Sequence, residues 1–256
     1  MINVLINGSW NKFKKNQLQP GSKEFYFESG IYETLRTKNH KPVFLTAHLN
    51  RLFESVKTLH LKTEFQRLDI EKMITKVIKS SANPDQRTRI LLLPENVVVY
   101  TTPLIINPKI YNGVSTITIS AMRDNPHIKS TKYEVCLNAY EVAQNYNCFD
   151  AIFIDKYALI LEGSKSNVFW IKEKKLFTRQ KNVLPGITRE MIIKKSPYPV
   201  HFGKLNTLHL NDLDELFLTN SSSGIIPVTR INKLQIRDGL PGPITKHLLN
   251  IYDTWF

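Results

Sequence analysis

The chain has 256 residues, enough for one large domain or two small ones, and its 42% apolar and 22% charged residues are ordinary globular usage. Thirty-five Lys and Arg against 22 Asp and Glu leave a formal charge of +13, which favours anionic partners such as phosphates and carboxylates. Cys136 and Cys148 are the only cysteines, too few for a disulfide framework and wrongly spaced for a zinc pair or a CxxC redox site. No apolar run reaches the ~18 residues that span a bilayer, and the apolar start MINVLINGSW precedes its charges, unlike a signal peptide. These features read as a soluble, cytoplasmic protein with no membrane partner.

In chain order, MINVLINGSW alternates as a strand ending in the turn Asn7-Gly8, followed by a Lys/Gln-rich connection. FYFESGIYETLRT has period-2 character. Thr46 is the expected N-cap of an amphipathic helix, because Leu49, Leu52, Phe53, Val56 and Leu59 recur at helical spacing. A second helix is expected across IEKMITKVIKSS, and RTRILLLP and NVVVYTTPLI read as a hairpin. The pattern stops at Ile106-Asn107-Pro108, so a domain boundary is expected there, between residues 1–108 and 112–256. VSTITIS restarts a strand and KYEVCLNAYEVAQNY reads as a helix. CFDAIFID, YALILEG, SNVFWIKE and KKLFTRQ are four short strands. ITREMIIKK is a helix, DELFLTN and IIPVTRI are strands, and PITKHLLNIY closes the chain as a helix. Strand-rich stretches broken by helices give an α+β class in two domains, not a regular βαβ repeat.

The sequence contains no GxGxxG, Walker A, HExxH or GxSxG pattern, and no two of its seven histidines stand at i, i+4; no metal is expected. Three clusters carry polar chemistry. In Leu184-Pro185-Gly186-Ile187-Thr188-Arg189 a Pro-Gly turn opens a helix, so the N–H groups of Ile187 and Thr188 would face an anion; the plainer alternative is a helix N-capped by Thr188. Asn220-Ser221-Ser222-Ser223-Gly224 offers three hydroxyls at a strand end, or simply a solvated turn. Glu162 ends the apolar strand YALIL ahead of Gly163-Ser164-Lys165-Ser166-Asn167. A carboxylate there is costly to bury without a cation to face, unless it sits in a turn facing water.

The order Lys…EGSKSNVF…LPGITR…TNSSSGIIPV resembles the class IV aminotransferase family, the pyridoxal-phosphate enzymes of fold type IV. Phe27-Glu28-Ser29-Gly30 is similar to a degenerate form of the turn before the family's strand, and HLNRL to its helix. The resemblance spans nearly the whole chain. It implies a two-domain fold of the D-amino-acid aminotransferase kind, with a small N-terminal α+β domain, a larger barrel-like C-terminal domain and pyridoxal 5'-phosphate between them. It also implies a homodimer.

The same resemblance implies roles for individual residues. Arg51 would clamp the cofactor phosphate with its guanidinium fork. The backbone N–H groups of Ile187 and Thr188, and the Ser221 hydroxyl, would join it. Glu162 would pair with the pyridine nitrogen and keep it protonated. Counting back from Phe149-Asp150-Ala151 puts the lysine that binds the cofactor covalently at Lys129 rather than Lys132. Lys132 replaces the family's asparagine, as a second cation or a solvent-facing one. Tyr133 would bond the cofactor's phenolic oxygen. Tyr32, Arg89, Asn220 and Ser222 stand as substrate contacts.

Asn220 and Gly224, where transaminases mostly carry glutamate at the second place, favour a 4-amino-4-deoxychorismate lyase that releases 4-aminobenzoate and pyruvate. An aminotransferase of branched-chain or D-amino acids is the alternative. The hairpin after Arg89 lacks the Arg-Gly turn with which family members bind substrate carboxylates; Arg89 or Arg36 is the candidate substitute. The basic charge is spread along the sequence without an aromatic–basic motif, so nucleic acid is not an expected partner.

Overall fold

Why IYETLRTK becomes a strand is plain from its alternation: Ile31, Glu33, Leu35 and Thr37 are buried toward one side while Tyr32 and Thr34 alternate with them. The structure, a computed structural model, describes residues 1–14 and 30–256, so the first part of the expected strand, Phe25, Tyr26, Phe27, Glu28 and Ser29, lies outside the described residues. The chain divides into two units, Met1–Ile105 with Ile128–Tyr133, and Ile106–His127 with Glu134–Phe256.

The first unit is built on a six-stranded sheet of β1 (Ile2–Ile6), β2 (Ser9–Phe13), β3 (Ile31–Lys38), β4 (Lys41–Pro42), β5 (Gln86–Leu92) and β6 (Val97–Pro103), in the order β2-β1-β6-β5-β3-β4. The helices α1 (Leu45–Thr58) and α2 (Arg67–Lys79) cover one of its faces. Leu49 and Leu52 from α1 and Ile70, Ile74, Val77 and Ile78 from α2 pack there on Leu5, Leu35, Ile90 and Val99. Asn7 and Gly8 both take positive φ, 51° and 84°, the geometry of a two-residue hairpin turn, so the stretch expected as a connection forms β2. Thr46 is not the N-cap of α1. The corner is made by Phe44 at φ 54°, and the helix opens at Leu45, one residue before Thr46.

The segment carrying Lys129, expected with the C-terminal domain, pairs with the first unit. Tyr32 N–H donates to Lys129 O at 2.9 Å and Thr131 N–H to Gly30 O at 2.9 Å, an antiparallel extension beside the start of β3.

The second unit holds a nine-stranded sheet: β7 (Val114–Ser120), β8 (Asp150–Ile154), β9 (Ile160–Gly163), β10 (Asn167–Lys172), β11 (Lys175–Thr178), β12 (Val200–Phe202), β13 (Glu215–Asn220), β14 (Gly224–Ile231) and β15 (Leu234–Gln235). Its order is β12-β11-β10-β13-β14-β7-β8-β9, with β15 beside β14. Only residues 164–166 separate β9 from β10, although the two strands stand far apart in that order; the sheet therefore curls, as a barrel-like core requires. Ile152, Val168, Trp170, Leu216, Leu218, Ile226 and Val228 form its apolar side.

Three helices flank it: α3 (Glu134–Asn145), α4 (Ile187–Lys195) and α5 (Pro243–Tyr252). Alternation along β13 turns Glu215, Phe217 and Thr219 to the other side. There Phe217 stacks on Phe169 at 4.9 Å, and the buried Glu215 carboxylate accepts from Ile244 N at 2.9 Å and Thr245 N at 2.7 Å. A remote carboxylate thus caps α5, and a Cβ at Gly242 would overlap it. Glu215→Ala is expected to destabilise the protein by about 2 kcal/mol, read as a lower urea midpoint, because two helix donors lose a charged acceptor.

Candidate active site

In the first unit the site is organised by Glu33, a carboxylate on the apolar side of β3. Arg51 Nε donates to Glu33 Oε1 at 2.7 Å and Arg51 Nη2 to Oε2 at 2.7 Å; His48 Nδ1 donates to Oε2 at 2.8 Å. His48 and Arg51 stand one helical step apart on α1 and reach the same carboxylate. Burial pushes the Glu33 carboxyl up, but Arg51 and His48 outweigh it and bring it down to about 2. Burial pushes the His48 imidazole down, the Glu33 carboxylate raises it, and Arg51 and Lys129 push it down again; the balance lies below the ordinary histidine value.

Lys129 Nζ lies 4.4 Å from the centre of the Tyr32 ring, and the Tyr133 ring is 5.3 Å from Tyr32. Lys132 is exposed, while Lys129 is half-buried. Tyr32, Thr34, Arg89 and Tyr100 lie on the sheet face away from α1 and α2, with Arg89 paired between Thr34 and Tyr100 in the register. Arg36 and Arg87 form the next pair along the same face.

In the second unit the sequence Glu162-Gly163-Ser164-Lys165-Ser166-Asn167 explains itself almost atom by atom. Ser164 Oγ and Ser166 Oγ donate to the Asp150 carboxylate at 2.5 and 2.6 Å, so these hydroxyls tie the turn to β8. Burial nonetheless pushes the Asp150 carboxyl up. A Cβ on Gly163 would overlap Ser166 and Asp150. Asn167 Nδ2 donates to Leu184 O at 2.9 Å, and a Cβ on Gly186 would overlap the Asn167 carboxamide. The two sequence signatures are therefore one structure: EGSKSN and LPGITR interlock.

Glu162 completes the stitch. Its Oε2 accepts from Leu184 N at 2.8 Å and its Oε1 faces Arg123 Nη1 at 3.3 Å, with the carboxylate buried. Thr188 is not the N-cap of α4. Gly186 is, and no side chain caps the helix, so Ile187 and Thr188 occupy its first turn. At the adjacent end of β13, Asn220 Oδ1 accepts from Ser222 N at 3.0 Å and Ser223 N at 2.8 Å, which closes the turn on itself; Ser221 is half-buried within it. Thr219 Oγ1 is buried with no hydrogen-bond partner among the described residues.

Glu33, His48 and Arg123 escaped the sequence reading as site residues. Signals existed for two of them: a carboxylate at a core-facing position between Ile31 and Leu35 needs cations, and His48 opens the HLNRL motif that carries Arg51. Among the described residues, no group of three or more His, Cys, Asp or Glu that could hold a metal occurs, and no helix is long and apolar enough to cross a membrane.

The amino-transferase class IV family model matches residues 30–231, and the chain belongs to that family. It is similar to a Thermotoga maritima protein assigned provisionally as a branched-chain-amino-acid aminotransferase, 31% identical over 88% of this chain and 86% of that one. It is 27% identical to the D-alanine aminotransferase of Bacillus licheniformis, over 96% of this chain and 94% of that one. A Legionella pneumophila structure assigned provisionally as a 4-amino-4-deoxychorismate lyase shares the fold, with a TM-score of 0.79 at 23% identity over 88% of this chain and 90% of that one. The protein is thus a two-domain α+β enzyme of fold type IV, dependent on pyridoxal phosphate.

The donor set suits that cofactor. A buried carboxylate fits a protonated ring nitrogen, a helix start without a side-chain cap fits a phosphate, and the Thr219 hydroxyl is a buried donor in want of an acceptor.

Proposed function

We propose that the protein is an amino-acid aminotransferase, with branched-chain or D-amino acids as its substrate class. The observation that carries the pyridoxal-phosphate assignment to particular residues is the Glu162 carboxylate, buried and oriented by Leu184 N–H and Arg123. The choice of branch is supported by the relatives above: the 31% identity is to a protein provisionally assigned as an aminotransferase, and the 27% identity is to a D-alanine aminotransferase.

Pyridoxal phosphate, when bound, supplies the carbonyl that captures the substrate amine and the ring that stores its electrons. Lys129 is the amine that holds it and then moves the proton at the substrate Cα. Glu162 keeps the proton on the ring nitrogen, and Tyr133 bonds the phenolic oxygen. Arg51, the N–H groups of Ile187 and Thr188, and Ser221 take the phosphate. Glu33 fixes the plane of the Arg51 guanidinium through two bonds, so this residue's contribution depends on the Glu33–His48 pair. Tyr32 and Arg89 are the substrate groups of the first unit, Asn220 and Ser222 those of the second. A cytoplasmic homodimer belongs to the same proposal.

A specific observation favours a second reading, 4-amino-4-deoxychorismate lysis. Gly224 has φ 72°, and a Cβ there would lie 2.8 Å from Tyr252 Cε1, so the glutamate common in transaminases has no room. Product analysis separates the readings. An aminotransferase converts at most one equivalent of L-leucine or D-alanine to the keto acid per cofactor, and turns over repeatedly only while 2-oxoglutarate is supplied to take the amino group. Equal release of 4-aminobenzoate and pyruvate from 4-amino-4-deoxychorismate, without any acceptor, would replace it with the lyase.

A further inference from the structure

Tyr252 is the last residue of α5 and is 4% exposed. Its hydroxyl lies 3.3 Å from Thr188 Oγ1 in the first turn of α4. Its ring occupies the space that a side chain at Gly224 would need. Edge-on contacts from Trp255 at 5.5 Å and Phe256 at 5.4 Å hold the ring in turn. The helix that carries it is fastened at its other end by Glu215. One residue from the C-terminal helix therefore touches both loops that the functional reading assigns to phosphate, the start of α4 and the turn before β14.

We propose that Tyr252 is a positioning residue for cofactor binding: its hydroxyl selects the Thr188 side-chain rotamer and so aims the first turn of α4 at the cofactor phosphate. A threonine in a first helical turn has two accessible rotamers, and a buried hydrogen bond to one of them removes the choice. The ring keeps the Gly224 turn against the same point. This inference rests on the pyridoxal-phosphate reading.

The test uses purified apoprotein titrated with pyridoxal phosphate and, separately, with phosphate-free pyridoxal. Tyr252→Phe keeps the ring and removes the hydroxyl. It is expected to raise the pyridoxal phosphate Kd by about 3- to 10-fold while leaving the pyridoxal Kd within about 2-fold. Thr188→Val should weaken phosphate-dependent binding similarly, and adding Tyr252→Phe to Thr188→Val should change nothing further; Thr188→Ser, which keeps a hydroxyl, should restore most of the affinity. Equal losses for both ligands, additive effects in the double variant, or an unchanged Kd would overturn the positioning role. Wild-type protein that takes up no pyridoxal phosphate would instead remove the functional reading, and this inference with it.

Discussion

Lys129→Ala is expected to reduce amino-acid turnover by at least about 10³-fold, because the proposed function gives this one amine two tasks, holding the cofactor and moving the Cα proton. The variant should keep its fold, since Lys129 is half-buried and the backbone bonds of its segment to Gly30 and Tyr32 do not use the side chain. It should still bind pyridoxal phosphate non-covalently. Lys132→Ala, at an exposed position, should leave turnover within about 2-fold, in keeping with surface changes generally. Steady-state kinetics on the two variants reads the contrast directly; a large loss in Lys132→Ala would reverse the assignment.

The second large effect lies at Glu33. Glu33→Ala leaves the Arg51 guanidinium and the His48 ring without their shared acceptor, and removing one partner of a buried ion pair costs about 3–5 kcal/mol. The denaturation midpoint should fall accordingly, and affinity for the cofactor should fall with it, because Arg51 loses the group that fixes its plane. The pH dependence has a definite sign. Glu33 titrates near 2 in the fold against 4.5 otherwise, so its contribution of about 3 kcal/mol is complete above pH 4.5 and is lost as pH falls toward 2. His48 acts in the same direction from a higher pH. Its folded value is depressed, so below about 6.5 the unfolded chain takes up a proton that the folded chain refuses, and stability falls with acid. Wild-type stability measured by urea titration should thus decline from near neutrality downward, and Glu33→Gln should flatten the part below pH 4.5. A variant with the full acid slope would show that Glu33 is not the group responsible.

The elements most legible in the sequence were those with strong periodicity. The apolar stripe of α2 and the alternation of β3 follow from burial of one face, which any compact chain must achieve. The starts of α1 and α4 were not legible, because each is decided by backbone geometry: a left-handed Phe44 in one case, Gly186 pressed on the Asn167 carboxamide in the other. The motif EGSKSN was visible as a signature, but its internal logic was not. Ser164 and Ser166 serve Asp150, a residue on another strand, and nothing in their spacing points to it. The same limit hid Arg123, which reaches Glu162 across 39 positions, and the pairing of the Lys129 segment with Gly30 and Tyr32. Contacts between sequence-distant polar groups follow from the register of strands, which periodicity alone does not supply.

Borohydride reduction followed by peptide mass mapping reads which lysine carries the cofactor. The protein reconstituted with pyridoxal phosphate should be yellow, lose its visible band on reduction, and yield a single phosphopyridoxyl-modified peptide with the added mass on Lys129. Modification of Lys132, or of no lysine at all, would remove Lys129 from that role.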